Sequence, residues 1–156
     1  GNYMEVGGIK LLIDFAHNPH GLLALAPAIK SIPAERRLVI AGQAGDRSDK
    51  DTCDMIQALW TIEPDMVVVA ELPDLLRGRD PGELTKVMFD ELMRLGSNDD
   101  EIIKTDTEYS AVQKSLEWAR SGDFLALLVH DDRVQTMELL AKLRDANWQA
   151  GDPLPT

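Results

Sequence analysis

The sequence predicts an α/β domain of three layers, a Rossmann-like arrangement in which a mostly parallel sheet with an antiparallel edge hairpin carries helices on both faces. Three observations predict it. Apolar runs, "IKLLIDF", "RLVIAG", "DMVVVAE", "EIIKT" and "FLALLV", alternate along the chain with stretches of helical period. The links between successive runs are long enough for the helical crossovers that parallel strands require. The 156 residues fit one domain, which can bury roughly 70% of the surface its unfolded chain exposes.

Taken in order, "YMEV" and "IKLLIDF" are separated only by Gly7 and Gly8, which supply the positive φ values of a tight hairpin at the sheet edge. After the polar cluster "DFAHNPHG", Leu22, Leu25, Ala26 and Ile29 recur at helical spacing. Asn18 is placed to cap that helix and Pro19 to open it, where its missing amide costs nothing. Pro27 is expected to kink it, because it removes the bond to the carbonyl of Leu23. "RLVIAG" suits a central parallel strand, followed by the loop "GQAGDRSDKD" and a helix from about Lys50 to Trp60. "DMVVVAE" is the next strand. The loop "LPDLLRGRD" follows, then a helix to about Leu95 that Asp80, Pro81 and Glu83 open in the manner of a capping box. "EIIKT", a helix around Tyr109 to Arg120, "FLALLV" and a helix from about Asp132 to Leu143 complete the series, and the tail "AGDPLPT" is expected to fray.

Composition narrows the function. A net charge of −11, from 27 acids and 16 bases, repels a phosphate backbone over most of the surface and disfavours nucleic-acid partners. No apolar run approaches the about 20 residues of a membrane helix, and no secretory leader is visible. The lone Cys53 allows no internal disulfide and suits a reducing, cytoplasmic setting, with a packing role for the thiol.

In a parallel sheet, the segments after the carboxyl ends of strands gather along one edge, where ligands bind. "DFAHNPHG", "GQAGDR", "LPDLLRGRD" and "HDDR" all follow strands and are predicted there. The polar cluster is therefore accessible rather than buried. His17, His20 and His130, with Asp14 and Asp131, would share that edge, and histidine with carboxylate is a possible zinc or iron constellation, so a metal-binding hydrolase domain is one reading of these residues.

The same segments carry a resemblance. "DFAHNP" after a strand resembles the D-[YFG]-A-H-N-P signature that opens the carboxyl-terminal, glutamate ligase-like domain of the Mur ligase family of ATP-dependent ligases. Gly42, Gly45, Asp46 and Arg47 resemble the family's G-x-x-G-D-R segment after the next strand. "LLRGRDPGE", Leu75 to Glu83, and "SGDFLALLVHDDRVQTMELL" are most similar to the cyanophycin synthetase branch of that family. The four anchors occur in the family's order across nearly the whole chain. Two segments of the diaminopimelate-adding members are missing: Asn-Pro-Arg, where this chain has "LPDLLRGRD", and G-K-G-H-E, where it has "LVHDD". The resemblance therefore points away from diaminopimelate.

The resemblance implies a domain over residues 1–148 with a tail at 149–156, and it places the amino-terminal and central ATPase domains outside this chain, which has no G-x-x-x-x-G-K-[ST] phosphate loop. The family reaction phosphorylates a carboxylate with ATP and magnesium, and the amine of an amino acid attacks the acyl phosphate to form an amide with a peptide-like acceptor. The carboxyl-terminal domain closes over ATP and helps to bind the amino acid, while the central ATPase domain is its partner in the parent chain. Alone, this domain is expected to be inactive, with no catalytic residue and no metal ligand. By resemblance, Asp14 holds the ribose hydroxyls of ATP, and His17 and Asn18 meet adenine or the ribose-phosphate edge. Asp14 also suits a turn-capping acid and Asn18 a plain helix cap. Arg47 would form a fork to the amino acid's carboxylate, or else a surface ion pair with Asp46 or Asp49. Arg77 and Arg79 are candidates for the same anion, or solvated loop residues. His130, Asp131 and Asp132 face the cleft with no role assigned. A stand-alone nucleotide or amino-acid binding module on the same fold is the alternative, since fold does not determine function.

Overall fold

Gly7 and Gly8 turn the chain back on itself near its amino terminus. Both take positive φ, 59° and 88°, the pair of conformations a two-residue type I′ hairpin requires. They join β1 (Asn2–Val6) to β2 (Ile9–Asp14), with Asn2 opposite Ile13 and Val6 opposite Ile9. Space as well as φ excludes a side chain at Gly7, because a Cβ there would lie 2.6 Å from the Trp148 ring.

The computed structural model describes residues 2–15 and 18–155. Among them the remaining strands are β3 (Arg37–Gly42), β4 (Met66–Ala70), β5 (Ile102–Thr105) and β6 (Phe124–Leu128). The sheet order is β1-β2-β6-β3-β4-β5, parallel throughout except for the β1–β2 pair. This is the mixed sheet that the apolar runs predict. Alternation along the strands divides the core in two. Leu38 and Ile40 of β3, Val68 of β4 and Leu125 and Leu127 of β6 point to α4 (Glu108–Trp118) and α5 (Arg133–Asp145). Their neighbours Val39, Ala41, Val67, Val69 and Ala126 point to α1 (Pro19–Ser31), α2 (Asp49–Trp60) and α3 (Glu83–Leu95). Both faces are covered, so β4 and β6 are apolar on every residue and β3 is apolar from Leu38 onward.

Helix α1 continues on both sides of Pro27, the position where a kink is expected. Pro27 lies on the exposed face, where water can meet the carbonyl of Leu23 that loses its partner. The start of α3 is not a capping box: Gly82 caps it with φ 84° and no side-chain bond. Glu83 is engaged elsewhere, paired with Arg79, and the Gly82 amide donates to Glu71 Oε2 at 2.5 Å. The tail after Trp148, expected to fray, is held: the Ala150 amide donates to the Gly7 carbonyl at 2.9 Å, Trp148 Nε1 donates to the Asp152 carbonyl at 3.0 Å, and Leu154 packs on the core. A buried tryptophan whose indole needs an acceptor anchors the residues that follow it.

One feature of the ladder shapes the carboxyl edge. β6, last in the chain, inserts between β2 and β3. Its pairing with β2 continues to Asp14–Leu128, and β3 pairs with β4 to Gly42–Ala70. The β3–β6 ladder instead covers only Arg37–Phe124 to Val39–Ala126. β3 and β6 therefore stop pairing before their carboxyl ends, on the edge of the sheet where ligands bind in folds of this type.

Candidate functional site

Asp14 ends β2 on that edge, half-buried, and its carbonyl accepts the Val129 amide at 3.1 Å. Phe15 follows, with the Arg133 guanidinium 4.0 Å from the centre of its ring. His17 lies outside the described residues. Asn18 caps α1: its Oδ1 accepts the Gly21 amide at 2.7 Å. The capping role weighed for Asn18 is thus realised, and it holds the residue at the start of the helix that faces the edge. His20 is exposed on α1 and borders a hollow of about 540 Å³ with Leu23, Asp54 and Gln57. His130 is drawn to α4 instead. Among the described residues, no group of three or more His, Cys, Asp or Glu is placed to hold a metal ion.

The loops after β3 and β4 are fitted to each other. The Gly45 amide donates to the Leu75 carbonyl at 2.8 Å, and a Cβ at Gly45 would fall 1.8 Å from the Leu76 carbonyl oxygen. The second glycine of "GQAGDR" is therefore a close-approach residue. Arg79 clamps the same junction. Its Nε donates to the Gly45 carbonyl at 3.0 Å, its Nη2 to the Arg47 carbonyl at 2.7 Å, and its Nη1 to Asp49 and Glu83 at 2.6 and 2.9 Å. Arg79, expected either on a substrate anion or in solvent, spends its donors on the protein. Neither of the ion pairs considered for Arg47 forms; Asp49 pairs with Arg79, and the Arg47 side chain is exposed. Arg77 is exposed too and takes φ 51°, left-handed backbone that costs a non-glycine residue about 1 kcal/mol or more. Gly78, at φ 90°, continues the turn. The three arginines thus divide into one brace and two outward cations on one loop pair.

The loop after β6 is held by a residue that sequence reasoning did not single out. Glu108, the first residue of α4, has a side chain only 1% exposed. Its Oε2 accepts the His130 amide at 2.6 Å and contacts His130 Nδ1 at 3.0 Å, while its Oε1 accepts the Asp131 amide at 2.6 Å. Asp132 returns the tie, its Oδ2 accepting the Tyr109 amide at 2.8 Å. Burial pushes the Glu108 carboxyl upward, but the His130 bond and the amides of Asp131 and His130 outweigh it, and the group titrates below its ordinary value. Its position at a helix amino terminus also favours the charge. Oε2 lies 3.6 Å from where a Cβ on Gly42 would sit, so this carboxylate spans the gap between the ends of β3 and β6. The only sequence signal was an acid just after the capping Thr107. Such acids are common on exposed first turns, and nothing local announces burial.

The comparisons with known proteins agree with this geometry. Residues 2–128 match the model of the Mur ligase, glutamate ligase domain. A cyanophycin synthetase of Crocosphaera subtropica is 29% identical over 127 residues, 81% of this chain and 14% of the relative. One from Synechocystis is 35% identical over 82 residues, 53% of this chain and 9% of the relative. The chain thus spans a small fraction of the length of these relatives. Among solved structures, a UDP-N-acetylmuramoyl-L-alanyl-D-glutamate:2,6-diaminopimelate ligase superposes with TM-score 0.66 at 19% identity, covering 92% of this chain and 31% of that one. The MurF ligase of Thermotoga maritima in complex with ADP superposes with TM-score 0.58 at 17% identity, over 93% of this chain and 31% of that one. With the family model covering most of its length and the fold shared with these ligases, the chain belongs to the Mur ligase family, as its glutamate ligase domain.

Proposed function

We propose that this domain is the carboxyl-terminal part of an ATP-dependent, amide-bond-forming ligase of the cyanophycin synthetase kind, which closes over ATP and helps to bind the incoming amino acid. The observation that carries the reading is the convergence of Asp14, "GQAGDR" and "LLRGRD" on the carboxyl edge of one mostly parallel sheet, within a chain matched to this family. Asp14 projects from the end of a strand, so its carboxylate meets the ribose hydroxyls from a rigid support. His17 and Asn18 line the same nucleotide. Arg47 and Arg77 are the two cations open to an amino acid's carboxylate, and Arg79 positions Arg47 through its backbone carbonyl. Magnesium accompanies ATP on ligands of the central ATPase domain, and the acceptor carboxylate of a peptide-like chain is phosphorylated there. The amine of the amino acid then displaces phosphate. This domain contributes exclusion of water and fixed positions rather than a nucleophile. The setting is cytoplasmic, where ATP is available; no described helix is long and apolar enough to cross a membrane.

The test is Asp14→Asn in the protein as encoded, with whatever domains flank this one. The substitution keeps the shape and removes the charge and one acceptor, so nucleotide binding weakens by about 1 to 3 kcal/mol. ATP-dependent ligation falls with it, while the thermal midpoint stays put. Unchanged ADP affinity and ligation in a folded variant would reduce Asp14 to a turn-capping acid.

A further inference from the structure

We propose that the hollow between the β4 loop, the start of α3 and the end of β5 is a second small-molecule site, which takes an α-amino acid with a large apolar side chain in its zwitterionic form. The inference goes beyond the nucleotide reading and does not depend on it.

The hollow measures about 500 Å³ and lies at the outer end of the carboxyl edge, beside β5, the last strand of the sheet. Its size is that of sites that hold small molecules, about 300 to 1,000 Å³. Among the described residues, none assigned above to ATP or to the ligated amino acid lines it. Leu76 connects the two regions: it lines the hollow, and its carbonyl is the group packed against Gly45. The site therefore abuts the brace around Arg79 without using Arg47 or Arg77.

The lining selects the ligand. Pro73, Leu76 and Pro81 make an apolar wall, and the charges around it are of both signs. Lys104, near the end of β5, and Asp106, just past it, stand two positions apart. Both are exposed, and neither forms a hydrogen bond or an ion pair among the described residues. Lys104 rests its ammonium over the Phe89 ring, 4.2 Å from the centre. That contact neutralises no charge and leaves the N–H donors open. Glu71 spends Oε2 on the Gly82 amide, and its Oε1 accepts nothing from the described residues.

These signs decide between ligand classes. A simple anion that reached Lys104 would meet Glu71 and Asp106, and a simple cation would meet Lys104. A purely apolar molecule fits the wall and leaves three charges without a partner. A zwitterion satisfies all of them, with its carboxylate on Lys104, its ammonium on Asp106 or Glu71, and its side chain on the prolines and Leu76. Two side chains one alternation apart on an extended chain, with about 7 Å between their Cα atoms, can together reach the adjacent charges of one α-amino acid.

Calorimetric titration of L-phenylalanine into the protein as encoded tests the site. Phenylalanine should bind, whereas hydrocinnamate, which lacks the ammonium, and phenethylamine, which lacks the carboxylate, should each bind about tenfold more weakly. Lys104→Met and Asp106→Asn should each weaken phenylalanine binding about five- to tenfold, with an unchanged thermal midpoint because both side chains are exposed. Arg47→Ala should leave phenylalanine affinity as it is, since Arg47 is no part of this lining. Absence of phenylalanine binding in the millimolar range overturns the inference, as does parent-like affinity in Lys104→Met and Asp106→Asn. Loss of binding in Arg47→Ala overturns it too, because the ligand then occupies the place of the ligated amino acid.

Discussion

Two braces hold the loops of the carboxyl edge, and they are opposite in kind. Between the β3 and β4 loops the brace is a cation, Arg79, with 17% of its side chain exposed and four bonds shared between two carbonyls and two exposed acids. Between α4 and the β6 loop it is an anion, Glu108, with 1% exposed and backbone amides as its main partners. A guanidinium is always charged and stays hydrated in part, so removing it releases partners that water can take over. A buried carboxylate that collects amides leaves them with no alternative. The cation suits a junction that can shift when a substrate arrives. The anion suits one that must not.

The largest expected effect tests the second half of that contrast. Glu108→Ala leaves at least two amides and an imidazole nitrogen without their acceptor in a dry place, and should cost about 3 to 5 kcal/mol. Denaturant unfolding should show the midpoint fall with little change in slope. A loss under 1 kcal/mol would mean that water reaches these amides and that the two braces do not differ.

Gly45→Ala comes next, since it acts on the other junction through sterics alone. The added methyl meets backbone, not a flexible side-chain end. The β3 and β4 loops must separate, at about 1 to 3 kcal/mol. Arg47 would move with them, so on the proposed reading of Arg47 affinity for the amino acid should drop more than affinity for ADP.

Acid sharpens the comparison without any mutation. In the folded state the Glu108 carboxyl is held below its ordinary value, so the unfolded state binds this proton more readily. The stability it contributes is complete above about pH 4.5 and is lost as pH falls through the lowered value. Glu108→Gln should flatten that acid limb, and Arg79→Lys should leave it as it is. A limb of equal steepness in parent and Glu108→Gln would assign it to other carboxylates.

How much of this the sequence displayed follows from how local each cause is. β3, β4 and β6 are apolar on consecutive residues, and the Gly7–Gly8 turn needs only its own φ values, so the sheet and its hairpin could be read directly. Asp14 and Asn18 were readable as strand end and helix cap for the same reason. Glu108 was not, because its burial is decided by His130 and Asp131, 22 and 23 residues later. Nor could Arg47, Arg77 and Arg79 be told apart by type. Only the approach of the Gly45 loop to Leu75 and Leu76 shows which of the three lies between two loops.

The smallest effect belongs to Arg79→Lys, and it bears on whether the cationic brace is a matter of charge or of shape. Lysine keeps the charge and can reach Asp49 or Glu83, yet one ammonium cannot span those acids and the carbonyls of Gly45 and Arg47 together. The two carbonyl bonds are the ones that tie loop to loop. Their loss should cost about 1 kcal/mol, because solvent can replace each of them in part. If charge were the main contribution, Arg79→Lys would unfold like the parent at low salt, and raising the ionic strength would weaken both proteins together. If shape dominates, the deficit persists at every salt concentration. Urea midpoints of parent and Arg79→Lys at low and high salt decide between these outcomes. A constant gap of this size identifies Arg79 as a geometric clamp, the weaker partner of Glu108 on the same edge.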